Sequence, residues 1–194
     1  AANEAIIRAL LLPNTYAISC VGEIGEEKFM GYLPKAIENG LRMLQIREKN
    51  MPPCQLEQLV DRVLSVTEPA GVTTLINSAI PVAQRKYFSG IHLTSLHLMK
   101  LDQRPDFELV AGSCHNLTEL NQAVKLELDF VVLSPILKTA SHPDAMPIGI
   151  TGMSKIIAEY PIPVYALGGM TDDHLTEMQS HGAHGIAMMR NAWK

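Results

Sequence analysis

The chain has 194 residues, 47% of them hydrophobic, and a formal net charge of −4 at pH 7. This length indicates one domain, and the acidic balance without any Lys/Arg run argues against a nucleic-acid partner. The longest apolar stretches, such as Ile6–Leu12, fall short of the roughly 20 residues that span a bilayer, so we expect no membrane partner either.

The N-terminus lacks the basic segment, apolar run and small-residue cleavage site of a secretory signal, and we therefore expect a cytoplasmic protein. Cys20, Cys54 and Cys114 form no Cys-x-x-Cys pair, which favours reduced thiols. The sequence opens Ala1-Ala2-Asn3 and reaches an apolar run soon afterwards. We interpret it as one domain, residues 1–194, of a longer polypeptide.

Short apolar runs alternate with amphipathic segments along the chain, which indicates βα units around a parallel sheet. The predicted strands are Tyr16–Cys20, Met43–Arg47, Thr73–Asn77, Gly90–Leu93, Leu109–Ser113, Phe130–Ser134, Val164–Leu167 and Gly185–Met189. Between them, the clearest predicted helices are Gln55–Thr67, Asn116–Lys125 and Asp172–His181. Such a chain either closes into a barrel or forms an open sheet with helices on both faces. No Gly-x-Gly-x-x-Gly motif follows the first strand, which argues against a dinucleotide-binding open sheet.

The second predicted strand ends in cationic side chains. Alternation along the strand places Gln45, Arg47 and Lys49 on one side and its apolar residues on the other. An arginine fork beside a lysine suits phosphate oxygens, and barrels bind their ligands at the carboxyl ends of the strands. The alternatives are a solvated strand end or an ion pair between Arg47 and Glu48.

Two further segments suit an anion. Gly168 and Gly169 follow the seventh strand, and Met189 and Arg190 end the eighth. Glycines let backbone N–H groups approach an anion, and the loops after the last two strands of a barrel commonly hold phosphate. A plain turn is the alternative for the glycine pair.

Polar residues follow other predicted strands as well. Singly, each is typical of a cap or a satisfied core residue, but together they predict a ligand-binding rim: Asn77, His92, Ser113, His115, Ser134, Thr139 and His142. The long loop Pro135–Gly149 fits such a site, because loops of this length in compact domains are usually functional. His97, His115 and His142, with Cys20 or Cys114, could in principle bind a transition metal, although no paired-ligand spacing supports this.

Taken together, the short motifs resemble the thiamine phosphate synthase and TenI family over nearly the whole chain. The matching segments are Gln45-x-Arg47-Glu48-Lys49, Ile76-Asn77, Gly90-Ile91-His92-Leu93, Ser113-Cys114-His115, Ser134-Pro135-Ile136 followed by Thr139, and Ala166-Leu167-Gly168-Gly169. The resemblance implies a closed (β/α)8 TIM barrel that binds a small phosphorylated ligand.

The resemblance also implies roles for individual residues. The pyrophosphate of an aminopyrimidine would be held by Gln45, Arg47, Lys49 and Asn77, with Ser113 beside it. A thiazole phosphate would meet Thr139, Gly168, Gly169 and the backbone near Met189 and Arg190. In the family reaction, pyrophosphate leaves the pyrimidine and the thiazole nitrogen captures the resulting cation, with Mg²⁺ stabilising the leaving group.

The chain departs from the family pattern where the metal would be bound. Ser78 and His97 stand at the positions of the two Mg²⁺ carboxylates, His142 stands for a loop lysine, and Pro135 stands for the catalytic histidine of TenI-type tautomerases. Because Mg²⁺ requires hard oxygen ligands, we predict no metal site and no certain cofactor.

A narrower similarity is to barrels fused behind a MutT-type Nudix hydrolase of the 8-oxo-dGTP diphosphatase type. It is carried by His92-Leu93-Thr94-Ser95, Thr139-Ala140-Ser141-His142-Pro143 and the segment from Ala183 to Arg190. It implies a covalently linked Nudix domain as a partner; no Nudix box occurs in this chain.

Three functions follow as hypotheses. The first is a transferase that forms thiamine phosphate, and the second is a non-catalytic domain that senses a thiamine-related phosphate for the fused hydrolase. The third is another chemistry that uses histidines as acid and base. The candidate catalytic residues are Ser113, His115 and His142.

Overall fold

The computed structural model describes residues 2–80 and 88–194 and contains a closed barrel of eight parallel strands, each hydrogen-bonded to its neighbours in chain order. The strands are β1 (Thr15–Ile18), β2 (Met43–Ile46), β3 (Thr73–Asn77), β4 (Gly90–Leu93), β5 (Leu109–Cys114), β6 (Phe130–Leu133), β7 (Val164–Ala166) and β8 (Gly185–Met188). The predicted (β/α)8 barrel is confirmed and the open sheet is excluded. The predicted strand ends differ from these by two residues at most.

Helices pack around the barrel. They are α1 (Ala2–Leu11), α2 (Val21–Ile24), α3 (Glu26–Glu38), α4 (Pro53–Thr67), α5 (Ser95–Lys100), α6 (Leu117–Lys125), α7 (Ile150–Ile157) and α8 (Leu175–Ser180), with 3-10 helices at Asp172–His174 and Arg190–Ala192. α4 begins two residues before its predicted start, because a proline is well suited to the first helical turn. Within the described residues, no helix has both the length and the apolar character needed to cross a membrane.

Two apolar cores lie on the two sides of the sheet. Along β2, Leu44 and Ile46 belong to the outer core between strands and helices, whereas Met43 belongs to the inner core that fills the barrel. The predicted alternation of this strand is therefore confirmed. The inner core centres on Phe130, whose ring centroid lies 5.1 Å from those of both Tyr16 and Tyr165.

The two ends of the chain meet at the point where the barrel closes. The indole N–H of Trp193 donates to the carbonyl of Ile18 at 2.8 Å, and its ring packs edge-on against Phe29 with centroids 4.7 Å apart. Near the opposite end of the strands, the hydroxyl of Tyr165 donates to the carbonyl of Pro13. Backbone pairing of Thr15 with Ile186 and of Ala17 with Met188 joins β8 to β1 and closes the barrel.

Candidate active site

A cavity of about 880 Å³ opens at the carboxyl ends of the strands. The residues predicted to bind or act on the ligand all line it, whereas the candidate metal ligands Cys20, His97 and Cys114 do not: Gln45, Arg47, Lys49, Asn77, Ser113, His115, Thr139, His142, Gly168, Gly169, Met189 and Arg190 line the cavity. The barrel thus brings together residues spread over most of the chain. Closure of the barrel brings these residues together, because it places the carboxyl ends of β2 and β8 at the same mouth.

The cationic end of β2 reaches across this mouth. The guanidinium of Arg47 lies 4.0 Å from the sulfur of Met189, so the second and eighth strands contribute to one wall. Desolvation and the positive charge of Arg47 both lower the pKa of Lys49. Two cations held this close repel each other, and an anion placed between them relieves that repulsion.

Glu48 does not neutralise these cations. Its carboxylate is buried and accepts hydrogen bonds from the Ser19 hydroxyl at 2.6 Å and from the backbone N–H groups of Val21 and Gly22 at 3.1 and 2.9 Å. The side chain therefore anchors the loop after β1, and the possible Arg47–Glu48 ion pair is not formed. Arg47 is instead free to face the cavity.

Below the cations, the floor of the cavity is a network of buried polar side chains. The amide of Asn77 donates to Gln45 at 2.8 Å, the hydroxyl of Tyr16 lies 3.0 Å from Nδ1 of His92, and Nε2 of His92 lies 2.8 Å from the hydroxyl of Ser113. Burial, reinforced by the charge of Arg47, lowers the pKa of His92 to about 3, so the ring is neutral at pH 7.

The glycine pair has a structural reason as well as a possible binding role. Gly168 and Gly169 have φ of +112° and +66°, and a Cβ on Gly168 would lie 3.0 Å from the amide nitrogen of Ile136. Close approach of the loop after β6 thus requires glycine here. Gly168 is buried, yet within the described chain its N–H donates no hydrogen bond, which leaves a donor for a ligand in the cavity.

The loop after β6 covers one side of the mouth. Its base is fixed by backbone hydrogen bonds from Ile148 to Pro135 at 2.8 Å and from Gly149 to Ile136 at 2.9 Å. Thr139, His142 and also Lys138 line the cavity from this loop. Lys138 was not predicted as a site residue, although its position next to the matched Thr139 could have indicated one.

Ion pairs occupy the rim. The guanidinium of Arg190 pairs with Glu23 through two hydrogen bonds of 2.5 and 3.0 Å, so this side chain has a partner other than a ligand. The predicted contact between phosphate and the backbone at Arg190 does not involve this side chain and stays a prediction. His115 is held by Glu119, whose carboxylate lies 3.0 Å from its Nδ1.

Ser78 and His97, which stand where the family resemblance places the two Mg²⁺ carboxylates, form a hydrogen-bonded pair. The hydroxyl of Ser78 lies 2.6 Å from Nδ1 of His97 and accepts from the backbone N–H of Thr94 at 3.0 Å. Over residues 2–80 and 88–194, no three His, Cys, Asp or Glu side chains come close enough to hold a metal ion. This donor set does not fit Mg²⁺, which requires several oxygen ligands and favours carboxylates.

Besides Lys138, two further contributors to the site were missed in the sequence. Tyr16 was assigned only to a strand, because a tyrosine in an apolar run is typical of a core. Glu23 was not singled out, because its pairing with Arg190 joins residues 167 positions apart. Neither contact has a local sequence signal.

Comparison with known proteins identifies the fold and the family. The chain is 36% identical over 179 residues to "Putative thiamine-phosphate synthase 2" of Aquifex aeolicus, covering 91% of this chain and 95% of the relative. It is 28% identical over 177 residues to the thiamine-phosphate synthase of Chloroflexus aurantiacus, covering 90% and 82%. The solved thiamine phosphate pyrophosphorylase of Pyrococcus furiosus superposes with a TM-score of 0.74 at 23% identity, covering 94% and 87% of the two chains.

That structural likeness supports the barrel, and the family assignment rests on sequence. The profile described as thiamine monophosphate synthase matches residues 15–192, which span all eight strands and the cavity at their carboxyl ends. The chain therefore belongs to the thiamine monophosphate synthase family.

Proposed function

We propose that the cavity binds a phosphorylated pyrimidine and a phosphorylated thiazole and joins them to form thiamine phosphate. The observation that carries this proposal is the convergence of Arg47, Lys49 and Lys138 with the free N–H of Gly168 around one cavity. Guanidinium, ammonium and backbone amide groups are the usual protein ligands of phosphate oxygens.

The chemistry required of these residues is stabilisation of a leaving group. In the proposed reaction, the bond between the pyrimidine methylene carbon and the pyrophosphate oxygen breaks, and the thiazole nitrogen forms the new bond to that carbon. Negative charge then develops on pyrophosphate. Arg47 and Lys49 would stabilise that charge at the end of β2, and donors fixed before the reaction do so without reorganisation.

The direct test is turnover of pyrimidine pyrophosphate with thiazole phosphate, with and without added Mg²⁺. Formation of thiamine phosphate and release of one pyrophosphate per product are expected. Because the described residues offer no fitting metal site, a residual rate should persist in the presence of a chelator. No product under either condition would refute the transferase proposal.

Arg47→Ala tests the anion site separately from turnover. Loss of a charged hydrogen-bond donor should weaken pyrophosphate binding about 10- to 100-fold, measured by isothermal titration. Arg42→Ala is the matched control, since Arg42 flanks the opposite end of β2 and donates to the carbonyls of Ile37 and Leu41. Equal affinity in the two variants would remove Arg47 from the site.

One observation favours a second candidate, binding without turnover. Ser78 and His97 are hydrogen-bonded to each other where the family resemblance places metal carboxylates. A domain that only senses a thiamine-related phosphate needs the cations and amides but no metal. Tight binding of thiazole phosphate without any product in the turnover assay would favour this candidate.

A further inference from the structure

We infer that Tyr16 and His92 are positioning residues that orient the hydroxyl of Ser113 as a hydrogen-bond donor toward the ligand. The inference concerns the floor of the cavity, and for the identity of the ligand it rests on the proposed function. It follows from the direction of each hydrogen bond in the buried network.

The first two bonds have a fixed direction. The backbone N–H of Ala79 donates to the side-chain oxygen of Asn77 at 3.0 Å, and the amide nitrogen of Asn77 donates to the side-chain oxygen of Gln45 at 2.8 Å. A backbone N–H can only donate, so the orientation of both amide groups is determined. The side-chain oxygen of Gln45 thus accepts from Asn77, and its NH2 group remains a donor.

The next member of the network is the hydroxyl of Tyr16, which is completely buried and lies 3.0 Å from Nδ1 of His92. A buried phenol O–H needs an acceptor, and Nδ1 of His92 is the acceptor that the described residues give it, so the O–H donates to Nδ1. A neutral imidazole that accepts at Nδ1 carries its proton on Nε2. The structure therefore assigns the Nε2–H tautomer to His92.

The last bond of the series ends at the cavity. Nε2–H of His92 donates to the oxygen of Ser113 at 2.8 Å, so this oxygen is an acceptor on its inner side. Ser113 is half-buried and lines the cavity, and its O–H proton is left to donate there. Tyr16 and His92 are almost fully buried and act through Ser113.

A nucleophilic pair of Ser113 with His92 as general base has the same distances but does not fit the electrostatics. Burial and the charge of Arg47 lower the pKa of His92 to about 3, so the ring cannot take the serine proton near neutral pH. The contact orients a hydroxyl and does not activate it.

The result is a floor that presents hydrogen-bond donors to the ligand. The hydroxyl of Ser113 lines the same cavity as Arg47, Lys49 and Gly168, whose N–H donates no hydrogen bond within the described chain. Such a surface suits a group that only accepts hydrogen bonds, such as fully ionised pyrophosphate.

The tautomer can be measured directly on the unaltered chain. A long-range ¹H–¹⁵N spectrum of the imidazole nitrogens should show His92 neutral and protonated at Nε2. A ring protonated at Nδ1, or a charged ring at neutral pH, would overturn the inference. This readout needs neither a variant nor a ligand.

Tyr16→Phe removes the donor that fixes the ring, and Tyr160→Phe is the matched control. Tyr160 also donates its hydroxyl, to the carbonyl of Leu120 at 2.7 Å, but lies outside the network. Inorganic pyrophosphate should bind about tenfold more weakly to Tyr16→Phe and unchanged to Tyr160→Phe, with a mixed His92 tautomer only in the former. Unchanged affinity and tautomer in Tyr16→Phe would overturn the inference.

The two proposals fail in different ways. If the unaltered chain does not bind pyrophosphate, the proposed function is refuted, while the tautomer measured in the same sample still decides the orientation of Ser113. If pyrophosphate binds but His92 is protonated at Nδ1, the positioning inference is refuted and the proposed function stands.

Discussion

The interior of the barrel contains two regions built on the same strands. In the lower region, inward side chains are apolar, for example Met43 on β2 and Leu75 on β3. In the upper region, the next inward residues of these strands are Gln45 and Asn77, and both belong to the polar floor of the cavity. A step of two residues, about 6.6 Å along a strand, separates them.

The lower region is stabilised by burial and aromatic packing, and every position in it can be filled without regard to a ligand. The upper region is as deeply buried, with Gln45 and His92 each 1% exposed, but its polar atoms need hydrogen-bond partners in the protein or in a ligand. Burial alone therefore does not distinguish a stabilising residue from a binding residue in this barrel. The ability to form directional hydrogen bonds does.

Leu75→Ala should have the largest effect and should affect stability only. Leu75 is completely buried in the inner core, so truncation should lower the free energy of unfolding by about 2–5 kcal/mol. Urea unfolding measures this loss, and titration of the folded variant should give an unchanged pyrophosphate affinity. A large loss of affinity would mean that the two regions are not separable.

Gly168→Ala should affect both properties. A left-handed φ and crowding against Ile136 should cost about 1–3 kcal/mol of stability and displace the loop that carries Lys138. Gly182→Ala is the control: its φ is +99°, but its Cβ would lie 3.6 Å from the nearest atom, in Ile157. Weaker pyrophosphate binding is expected only in Gly168→Ala, and equal binding in both would contradict the role of the close approach.

His92 should make stability depend on pH. The unfolded chain binds a proton at the ordinary pKa of 6.5, whereas folded His92 does so only at about 3. Between these values the unfolded state binds more protons, so stability falls as pH is lowered, by about 1.4 kcal/mol per pH unit from this group. Urea unfolding at pH 6.5 and 5 should show a loss of about 2 kcal/mol from His92. His92→Gln should be less acid-sensitive by that amount, and an unchanged slope would contradict the assignment.

Glu23→Gln should have the smallest effect. Its pair with Arg190 is exposed, so we expect a stability change below about 1 kcal/mol. Releasing Arg190 adds a cation to the rim, and pyrophosphate should bind about two- to threefold more tightly at low salt. Weaker binding would show that Glu23 positions Arg190 for the ligand.

The strands were predictable because apolar runs with clear punctuation are a local signal. That pattern does not show that the strands close into a ring, because an open sheet would have the same pattern. The family resemblance predicted the closed barrel. The alternation of β2 placed Arg47 and Lys49 correctly, since side-chain direction along a strand depends only on parity. The partners of Glu48 were not predictable, because they lie outside β2, at Ser19 and in the first turn of α2.

The polar floor of the cavity shows most clearly which contacts cannot be predicted from the sequence. The Tyr16 hydroxyl meets His92, which lies 76 residues later, and no local pattern encodes that contact. The roles of His115 and His142 stay predictions, although both residues line the cavity. The linked Nudix domain and the cytoplasmic location also stay predictions.

The burial of Glu48 away from the cavity has a consequence for how ligands arrive. The chain as a whole carries a net charge of −4. Among the described residues that line the cavity, however, there are four Lys and Arg side chains and one carboxylate, that of Glu23. The mouth is thus an electropositive spot on an acidic molecule, a field that attracts anions before contact. Added salt should therefore slow association with pyrophosphate more than it changes the rate of departure.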